Sequence, residues 1–146
     1  MPGASRPLTA PILGGVLELP RAMIDQILAH ARRDHPDEAC GIIAGRDGAA
    51  TRVVEMANAE RSPTFYRFEA TEQLRVWRAM DDNDEVPFVI YHSHTATEAH
   101  PSRTDISLAS EADAHYLLVS TRSAAEEVRS FRIVEGAVTE EEITIT

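Results

Sequence analysis

The sequence predicts an α/β domain of the α+β type, in which a mixed β-sheet is flanked by helices. Several short apolar runs bounded by glycine, proline or polar residues have the length and composition of β-strands. Two longer segments instead repeat apolar residues at the spacing of an amphipathic helix. Because strands and helices do not alternate strictly along the chain, we expect a mixed sheet and not a doubly wound parallel one.

The N-terminal half begins with a short strand and a helix. We expect the helix to start at Pro20 and to present an apolar stripe that includes Ile24 and Ile27. It should end near His35, because the residue before a proline is pushed out of the α region. Turn residues at Gly45–Gly48 then separate two strands. The strands predicted in this half are Val16–Leu19, Ala39–Ala44, which is apolar enough to be buried, and Thr51–Met56.

The C-terminal half holds the most clearly predicted strand, Pro87–Tyr91, whose nearly continuous apolar residues indicate burial on both faces. Before it, Phe65–Phe68 should be short and extended, and a helix should start near Thr71 with Leu74, Trp77 and Met80 on one face. The remaining predicted elements are a short helix at Thr104–Ser110 and strands at Tyr116–Ser120, Val128–Val134 and Val138–Ile145.

Size and composition are those of an ordinary soluble globular protein. The chain has 146 residues, about one domain's worth, and a net charge of −10, which disfavours a nucleic-acid partner. Its single cysteine, Cys40, cannot form an internal disulfide, so a reducing cytoplasm is the expected location. We find no signal peptide or membrane span. We expect residues 1–14 to be a flexible leader and residues 15–146 to form the domain.

A cluster of potential metal ligands follows the strand Pro87–Tyr91. His92 and His94 are two residues apart, so on an extended strand both side chains point to the same face. Asp105 lies beyond a loop that can fold back on the strand end. Two imidazoles and one carboxylate are three ligands of the kind that a catalytic Zn²⁺ takes, with a fourth position left for water. The alternative is a pair of solvated histidines at a strand end.

Ser102 and Asp105 also match a helix start. Ser-x-x-Asp before an apolar stretch resembles a capping box, with Ser102 as the N-cap. The two interpretations are compatible, because a helix start would hold Asp105 rigidly while the Ser102 hydroxyl faced a substrate. Cys40 could be a nucleophile or a fourth zinc ligand, but its apolar surroundings favour a small buried side chain. A closed structural zinc site is therefore disfavoured.

Glu38 is the candidate general base. It immediately precedes the apolar strand Ala39–Ala44, where a charge is costly unless it has a partner. A water bound to a metal ion is such a partner, and a base is needed beside it. Asp37 and Glu55 are the alternatives, and we interpret both as surface charges.

These residues together resemble the signature of the JAMM (MPN-plus) metalloprotease family. That signature is an upstream glutamate, then His-x-His, seven residues, a serine, two residues and an aspartate. Every position is filled here, by Glu38, His92, His94, Ser102 and Asp105. Thr95 is a departure, since many members carry proline there. The resemblance implies a cytidine-deaminase-like single domain, one Zn²⁺ with a bound water, and hydrolysis with Glu38 as base and Ser102 assisting.

The resemblance extends to an actinobacterial branch of the family, over most of residues 16–143. It implies a substrate in which the C-terminal Gly-Gly tail of a ubiquitin-like sulfur carrier, CysO-like, is joined to cysteine by an amide. Hydrolysis would release free cysteine, as a step of cysteine biosynthesis. We expect Ser62–Phe68 and Thr95–His100 to line the tail groove, and Arg61 and Arg103 to bind the cysteine carboxylate. The alternatives are a peptidase or isopeptidase acting on other ubiquitin-like tails, and a metal-free MPN interaction scaffold. A homo-oligomer is left open.

Overall fold

A central mixed sheet forms the core of the computed structural model, which describes residues 15–146. The predicted leader, residues 1–14, lies outside the described residues. Over residues 15–146 the structure contains seven strands and three helices, as the α+β prediction requires. The strands are β1 (Val16–Leu19), β2 (Cys40–Arg46), β3 (Ala49–Met56), β4 (Val86–His94), β5 (His115–Ser120), β6 (Val128–Val134) and β7 (Ala137–Ile145). The helices are α1 (Arg21–Asp34), α2 (Ala70–Asp82) and α3 (Arg103–Leu108).

The strand order in the sheet is β1-β7-β6-β5-β4-β2-β3. Only the β1–β7 and β4–β5 pairs are parallel, and the remaining neighbours are antiparallel. The parallel β4–β5 pair needs a crossover, because a tight hairpin can join only antiparallel strands. That crossover, residues 95–114, contains α3 and brings it back over the carboxyl end of β4.

The predicted elements are present, with differences at their ends. β2 continues through Gly45 to Arg46, beyond the predicted end at Ala44, because Gly45 and Arg46 pair with Ala50 and Ala49 of β3. The turn narrows to Asp47 and Gly48, both with positive φ, as in a two-residue hairpin. Phe65–Phe68 joins no strand of the sheet and contributes a single bridge between Phe68 and Asn58.

Two apolar clusters cover the two faces of the sheet. On one face α1 packs with Ile24 and Ile27 against Leu117 and Val119 of β5. On the other face Met80 of α2 lies with Ile42 of β2, Ile90 of β4 and Leu118 of β5. None of the helices within residues 15–146 is long and apolar enough to cross a membrane.

Strand alternation decides which residues of β4 face α2 and α3. Val89 and Tyr91 belong to the α1 face, and Ile90 to the opposite face. The Tyr91 ring crosses β2 at Gly41, where an added Cβ would stand 2.5 Å from the ring. A larger residue at position 41 would therefore push Tyr91, and β4 with it, out of place. His92 and His94 follow at the end of β4, on the same face as Ile90.

Candidate active site

The end of β4 presents its two histidines to one face and Ser93 to the other. Both imidazoles are buried. The Ser93 Oγ accepts a hydrogen bond of 2.8 Å from the backbone N–H of Ala39, which ties the end of β4 to the residue after Glu38. The predicted alternation is therefore confirmed. The same strand end positions the histidine pair on one face and holds Ala39, which precedes β2, on the other.

Asp105 is brought to the histidines by the start of α3. Its Oδ2 lies 3.1 Å from His94 Nε2 and 3.2 Å from His92 Nε2. One ligand atom from each of the three residues lies within 4.8 Å of the other two. Burial alone would raise the pKa of the Asp105 carboxyl, yet the two imidazoles beside it hold this pKa well below its ordinary range. Asp105 is therefore a carboxylate.

The predicted capping box at α3 is present. The Ser102 Oγ accepts the Asp105 N–H at 3.0 Å, and Asp105 Oδ2 accepts the Ser102 N–H at 2.8 Å. The oxygen that faces the histidines is thus fixed by a backbone hydrogen bond. Because the Ser102 hydroxyl serves here only as an acceptor, its own hydrogen remains available to another group.

His94 is oriented by the loop that follows it. Its Nδ1 lies 2.9 Å from the backbone oxygen of Glu98, and since a carbonyl can only accept, Nδ1 carries the hydrogen. Nε2 lies 3.1 Å from Asp105 Oδ2 and is the ring nitrogen that faces the ligand cluster. A hydrogen bond from the other ring nitrogen is the usual way in which a protein fixes the tautomer of a metal-binding histidine.

His92 has two buried nitrogens with no hydrogen-bond partner within residues 15–146. Its Nε2 is close to Asp105 Oδ2, but that contact does not have hydrogen-bond geometry. Burial lowers the pKa of His92, so the ring is neutral and offers a lone pair. Unsatisfied buried polar atoms are rare and need an explanation, such as an ion. Two imidazoles and a carboxylate fit a three-ligand zinc site with an open fourth position.

Glu38 lies at the start of β2 and is only 4% exposed. Its N–H donates to Ser62 O at 2.8 Å, which anchors it from the side of the Ser62–Phe68 segment. The pKa of Glu38 is raised to about 8, mainly by burial; His94 opposes this rise and Asp105 adds to it. These couplings place the Glu38 carboxylate within electrostatic reach of the ligand cluster. Glu55, in contrast, is paired with Arg33.

The raised pKa of Glu38 predicts a pH dependence for the metal-free protein. Folding raises this pKa from 4.5 to about 8, so the folded state holds the proton that the unfolded state releases. The stabilising effect is complete below the unfolded pKa and is lost as pH rises through about 8. We expect the free energy of unfolding of Glu38→Gln to decline less than that of the parent between these values, as measured by urea denaturation of chelator-treated protein. Parallel pH profiles would contradict this prediction.

The other predicted residues are not part of the ligand cluster. Arg61 and Arg103 are exposed, Arg61 on the loop next to Ser62 with φ of 46° and Arg103 at the first turn of α3. Neither forms an ion pair with another residue in the range 15–146. His100, at the end of the predicted groove segment Thr95–His100, meets the ring of Phe131 in an edge-on contact. Cys40 is buried as expected, and burial raises its thiol pKa to about 12, so it is not a nucleophile.

The two predicted groove segments lie beside the cluster and contact each other. The Thr95 hydroxyl donates to the backbone oxygen of Pro63 at 3.1 Å. This contact uses the residue that departs from the family signature, and a proline could not make it. Tyr66, which the sequence did not single out, stacks on the His92 ring. No sequence signal identifies Tyr66 or the Glu98 carbonyl, because both act through contacts that only the folded chain creates.

An apolar cavity of about 260 Å³ opens beside His92 and Asp105. It lies between the Phe65–Phe68 segment, α2, and the end of α3, and its floor is the sheet. Among the residues that line it are Tyr66, Phe68, Trp77, Leu108 and Tyr116. Glu38, His94 and Thr95 are absent from its lining, so the cavity lies on the His92 side of the cluster.

Comparison with known proteins supplies the family. The model for prokaryotic homologs of the JAB domain matches residues 20–134, which include all five residues of the motif. The chain belongs to this JAB (JAMM) family. A JAB1/MPN domain protein from Archaeoglobus fulgidus has the same fold, with a TM-score of 0.59 at 18% identity, covering 88% of this chain and 99% of that one.

Two JAB relatives are close enough in sequence to bear on function. The CysO-cysteine peptidase of Mycobacterium tuberculosis is 62% identical over 133 residues, covering 89% of this chain and 91% of the relative. A probable TtuB-protein conjugate cleaving protease of Thermus thermophilus is 32% identical over 124 residues, covering 84% and 80%. The first relative is named as a peptidase and the second as a protease that cleaves protein conjugates.

Proposed function

We propose that this chain is a zinc-dependent hydrolase that cleaves the amide between the C-terminal glycine of a ubiquitin-like sulfur carrier, CysO-like, and cysteine. Free cysteine is released, which makes the reaction a step of cysteine biosynthesis. The observation that carries the proposal is the 62% identity to a CysO-cysteine peptidase over nearly the whole chain. We assign the activity to a domain comprising residues 15–146.

His92, His94 and Asp105 would hold the zinc ion in this proposal. A zinc ion held there would supply Lewis-acid chemistry, which lowers the pKa of water toward neutrality and polarises a carbonyl oxygen. The chain prepares the ligands for this role, since Asp105 is ionised, His92 is neutral, and the capping box and Glu98 fix Asp105 and His94.

Glu38 and Ser102 would carry out the proton transfer and the hydrogen bonding. Glu38 accepts a proton from the attacking water and delivers it to the departing amine of cysteine. Its buried carboxylate favours the protonated form, which helps it accept the proton. The Ser102 hydroxyl donates its free hydrogen to the carbonyl oxygen as negative charge develops there. Donors of this kind typically contribute about 3 kcal/mol to transition-state stabilisation.

The position of Glu38 orients the substrate. Since Glu38 must reach the departing nitrogen, the cysteine lies on the Glu38 side, near the Ser62 and Thr95 contacts. The carrier tail then lies on the His92 side, where the apolar cavity opens. Two terminal glycines have no side chains to fill the cavity. We infer that it receives an apolar side chain of the carrier upstream of the Gly-Gly.

A charge placed in the cavity wall tests this orientation. Leu108 lines the cavity and is 60% exposed, so Leu108→Asp should fold. We expect this change to raise KM by about tenfold with a smaller effect on kcat, because the tail loses apolar contact before and during the reaction. Leu74→Asp is the matched control, since Leu74 is 53% exposed on α2 and does not line the cavity. Equal kinetics for both variants would contradict the assignment.

The cysteine carboxylate should interact with a cation. Arg61 and Arg103 flank the site on the loop next to Glu38 and at the start of α3. We expect Arg61→Ala or Arg103→Ala to raise KM roughly two- to fivefold, the magnitude of an exposed charge interaction. Arg75→Ala, at an exposed position of α2, is the control. An unchanged KM in both test variants would exclude these arginines.

The decisive experiment is intact-mass analysis of a CysO-type carrier that bears a C-terminal cysteine. We expect incubation with the zinc-loaded protein to remove the mass of one cysteine, and a chelator to abolish the reaction. An unchanged mass, with zinc bound, would contradict the proposed substrate.

A second candidate function is cleavage of a ubiquitin-like protein from protein conjugates. The Thermus relative, named for cleaving TtuB-protein conjugates, favours it. The same residues would act, and only the group beyond the scissile bond would differ. A carrier joined to a lysine side chain, compared with the cysteine adduct in the mass assay, separates the two by their relative kcat/KM.

A further inference from the structure

The two histidines of the cluster are supported in different ways. His94 donates from Nδ1 to the Glu98 carbonyl, so its ring cannot rotate without losing a hydrogen bond. For His92, residues 15–146 provide no hydrogen-bond partner to either nitrogen. Ligand orientation normally depends on such a partner. Another contact must therefore hold the His92 ring.

Tyr66 makes the closest ring contact to His92. The two ring centroids lie 4.4 Å apart with an angle of 24° between the planes, which is a stacked arrangement. His94 meets His92 edge-on at 5.1 Å and leaves the stacked face to Tyr66. A flat ring lying on the imidazole opposes rotation of His92 about its side-chain bonds.

The position of Tyr66 is itself fixed by a series of aromatic contacts. Phe68 packs edge-on against the Tyr66 ring at 5.8 Å, and Trp77 of α2 lies behind Phe68 at 6.1 Å. This aromatic series connects His92 to a helix of the core. Tyr66 is therefore not a freely moving cover of the site.

Asn58 fixes the backbone on both sides of Tyr66. Its Nδ2 donates to Phe65 O at 3.0 Å, and its Oδ1 accepts the Arg67 N–H at 3.2 Å. The same Nδ2 lies 3.0 Å from Glu38 O, so one side chain ties the Tyr66 segment to the start of β2. The Asn58 side chain therefore fixes the position of the Tyr66 segment relative to the backbone of Glu38.

We propose that Tyr66 is a positioning residue for His92, whose stacked ring takes the place of the hydrogen bond that orients His94. This inference rests on the proposed function, since it assumes that His92 binds zinc. The aromatic face carries the effect, and the hydroxyl is dispensable. Tyr66 acts through His92 and takes no part in proton transfer.

The test compares Tyr66→Leu and Tyr66→Met, which remove the ring, with Tyr66→Phe, which keeps it. Zinc release to an excess of a chromogenic chelator is the first measurement. We expect the ring-less variants to release zinc roughly tenfold faster or more, the usual scale for losing support of a metal ligand, and Tyr66→Phe to restore retention. The visible spectrum of the cobalt-substituted protein should change in the ring-less variants alone.

Phe88→Leu provides the matched control, because Phe88 packs on the ring of His115 at the opposite face of the sheet. It should leave zinc release unchanged. Normal zinc release and cobalt spectra in folded ring-less variants would overturn the proposal, as would equal losses in Tyr66→Phe and Tyr66→Leu. Should neither ring-less variant fold, a tenfold faster release from Tyr66→Phe would still overturn it. A parent that binds no zinc would refute the proposed function itself, which is a distinguishable result.

Discussion

Glu38→Gln is expected to lower kcat for release of cysteine by about 10²–10⁴-fold, the usual contribution of a positioned general base. Glutamine has nearly the shape of glutamate but cannot accept the proton of the attacking water. The hydrogen bonds that position residue 38 use its backbone, Glu38 N–H to Ser62 and Glu38 O from Asn58, so the fold around it should be preserved. Mass-based kinetics and zinc content on the same samples measure the effect.

The neighbouring acid supplies the control for this substitution. Asp37→Asn removes one carboxylate from the adjacent position, and we expect near-parental kcat because Asp37 does not belong to the ligand cluster of His92, His94 and Asp105. Zinc content should be equal in the parent and both variants. Near-parental turnover by Glu38→Gln would remove Glu38 from the mechanism, and loss of zinc would reassign it to the metal site.

Asp105→Asn should abolish activity by removing the metal. The amide oxygen is a much weaker zinc ligand than a carboxylate, and we expect a loss of affinity larger than the roughly 10–100-fold typical of supporting residues. The asparagine oxygen can still accept the Ser102 N–H, so the start of α3 should persist. Elemental analysis after dialysis and a chelator competition give the zinc content and affinity.

Asp113→Asn is the control, because Asp113 is exposed and precedes β5. It should retain zinc and activity. Full zinc occupancy in Asp105→Asn would exclude Asp105 as a ligand, and circular dichroism will show whether the variant is folded.

The features that sequence predicts well here are those with local causes. Alternation along β4 alone puts His92 and His94 on one face, and Ser-x-x-Asp alone predicts the capping box that holds Asp105. The end of β2 lies beyond the predicted one, because Gly45 pairs with Ala50 of β3 and with Val86 of β4, and the latter partner is distant in sequence. Residues were thus predictable where their neighbours in sequence determine their geometry.

Long-range contacts account for what the sequence could not give. The parallel β1–β7 pair, which joins the two ends of the domain, has no local signature. In the sequence, Tyr66 is one aromatic residue in a predicted loop, and only the folded chain places its ring on His92. The roles assigned to Glu38, Ser102 and the three ligands remain predictions for the experiments above, although the structure brings their side chains to one end of the sheet.

In the capping box, one carboxylate oxygen of Asp105 takes part in two equilibria, the formation of helix α3 and the binding of a metal ion. Asp105 Oδ2 closes the first turn of α3 and also faces the imidazoles of β4. A helix as short as Arg103–Leu108 has little stability of its own. Ion capture and helix ordering are therefore thermodynamically linked, so each favours the other to the same extent. Amide hydrogen exchange at the start of α3 should then report zinc occupancy. We also expect the opening of that helical turn to control the rate at which the zinc ion dissociates.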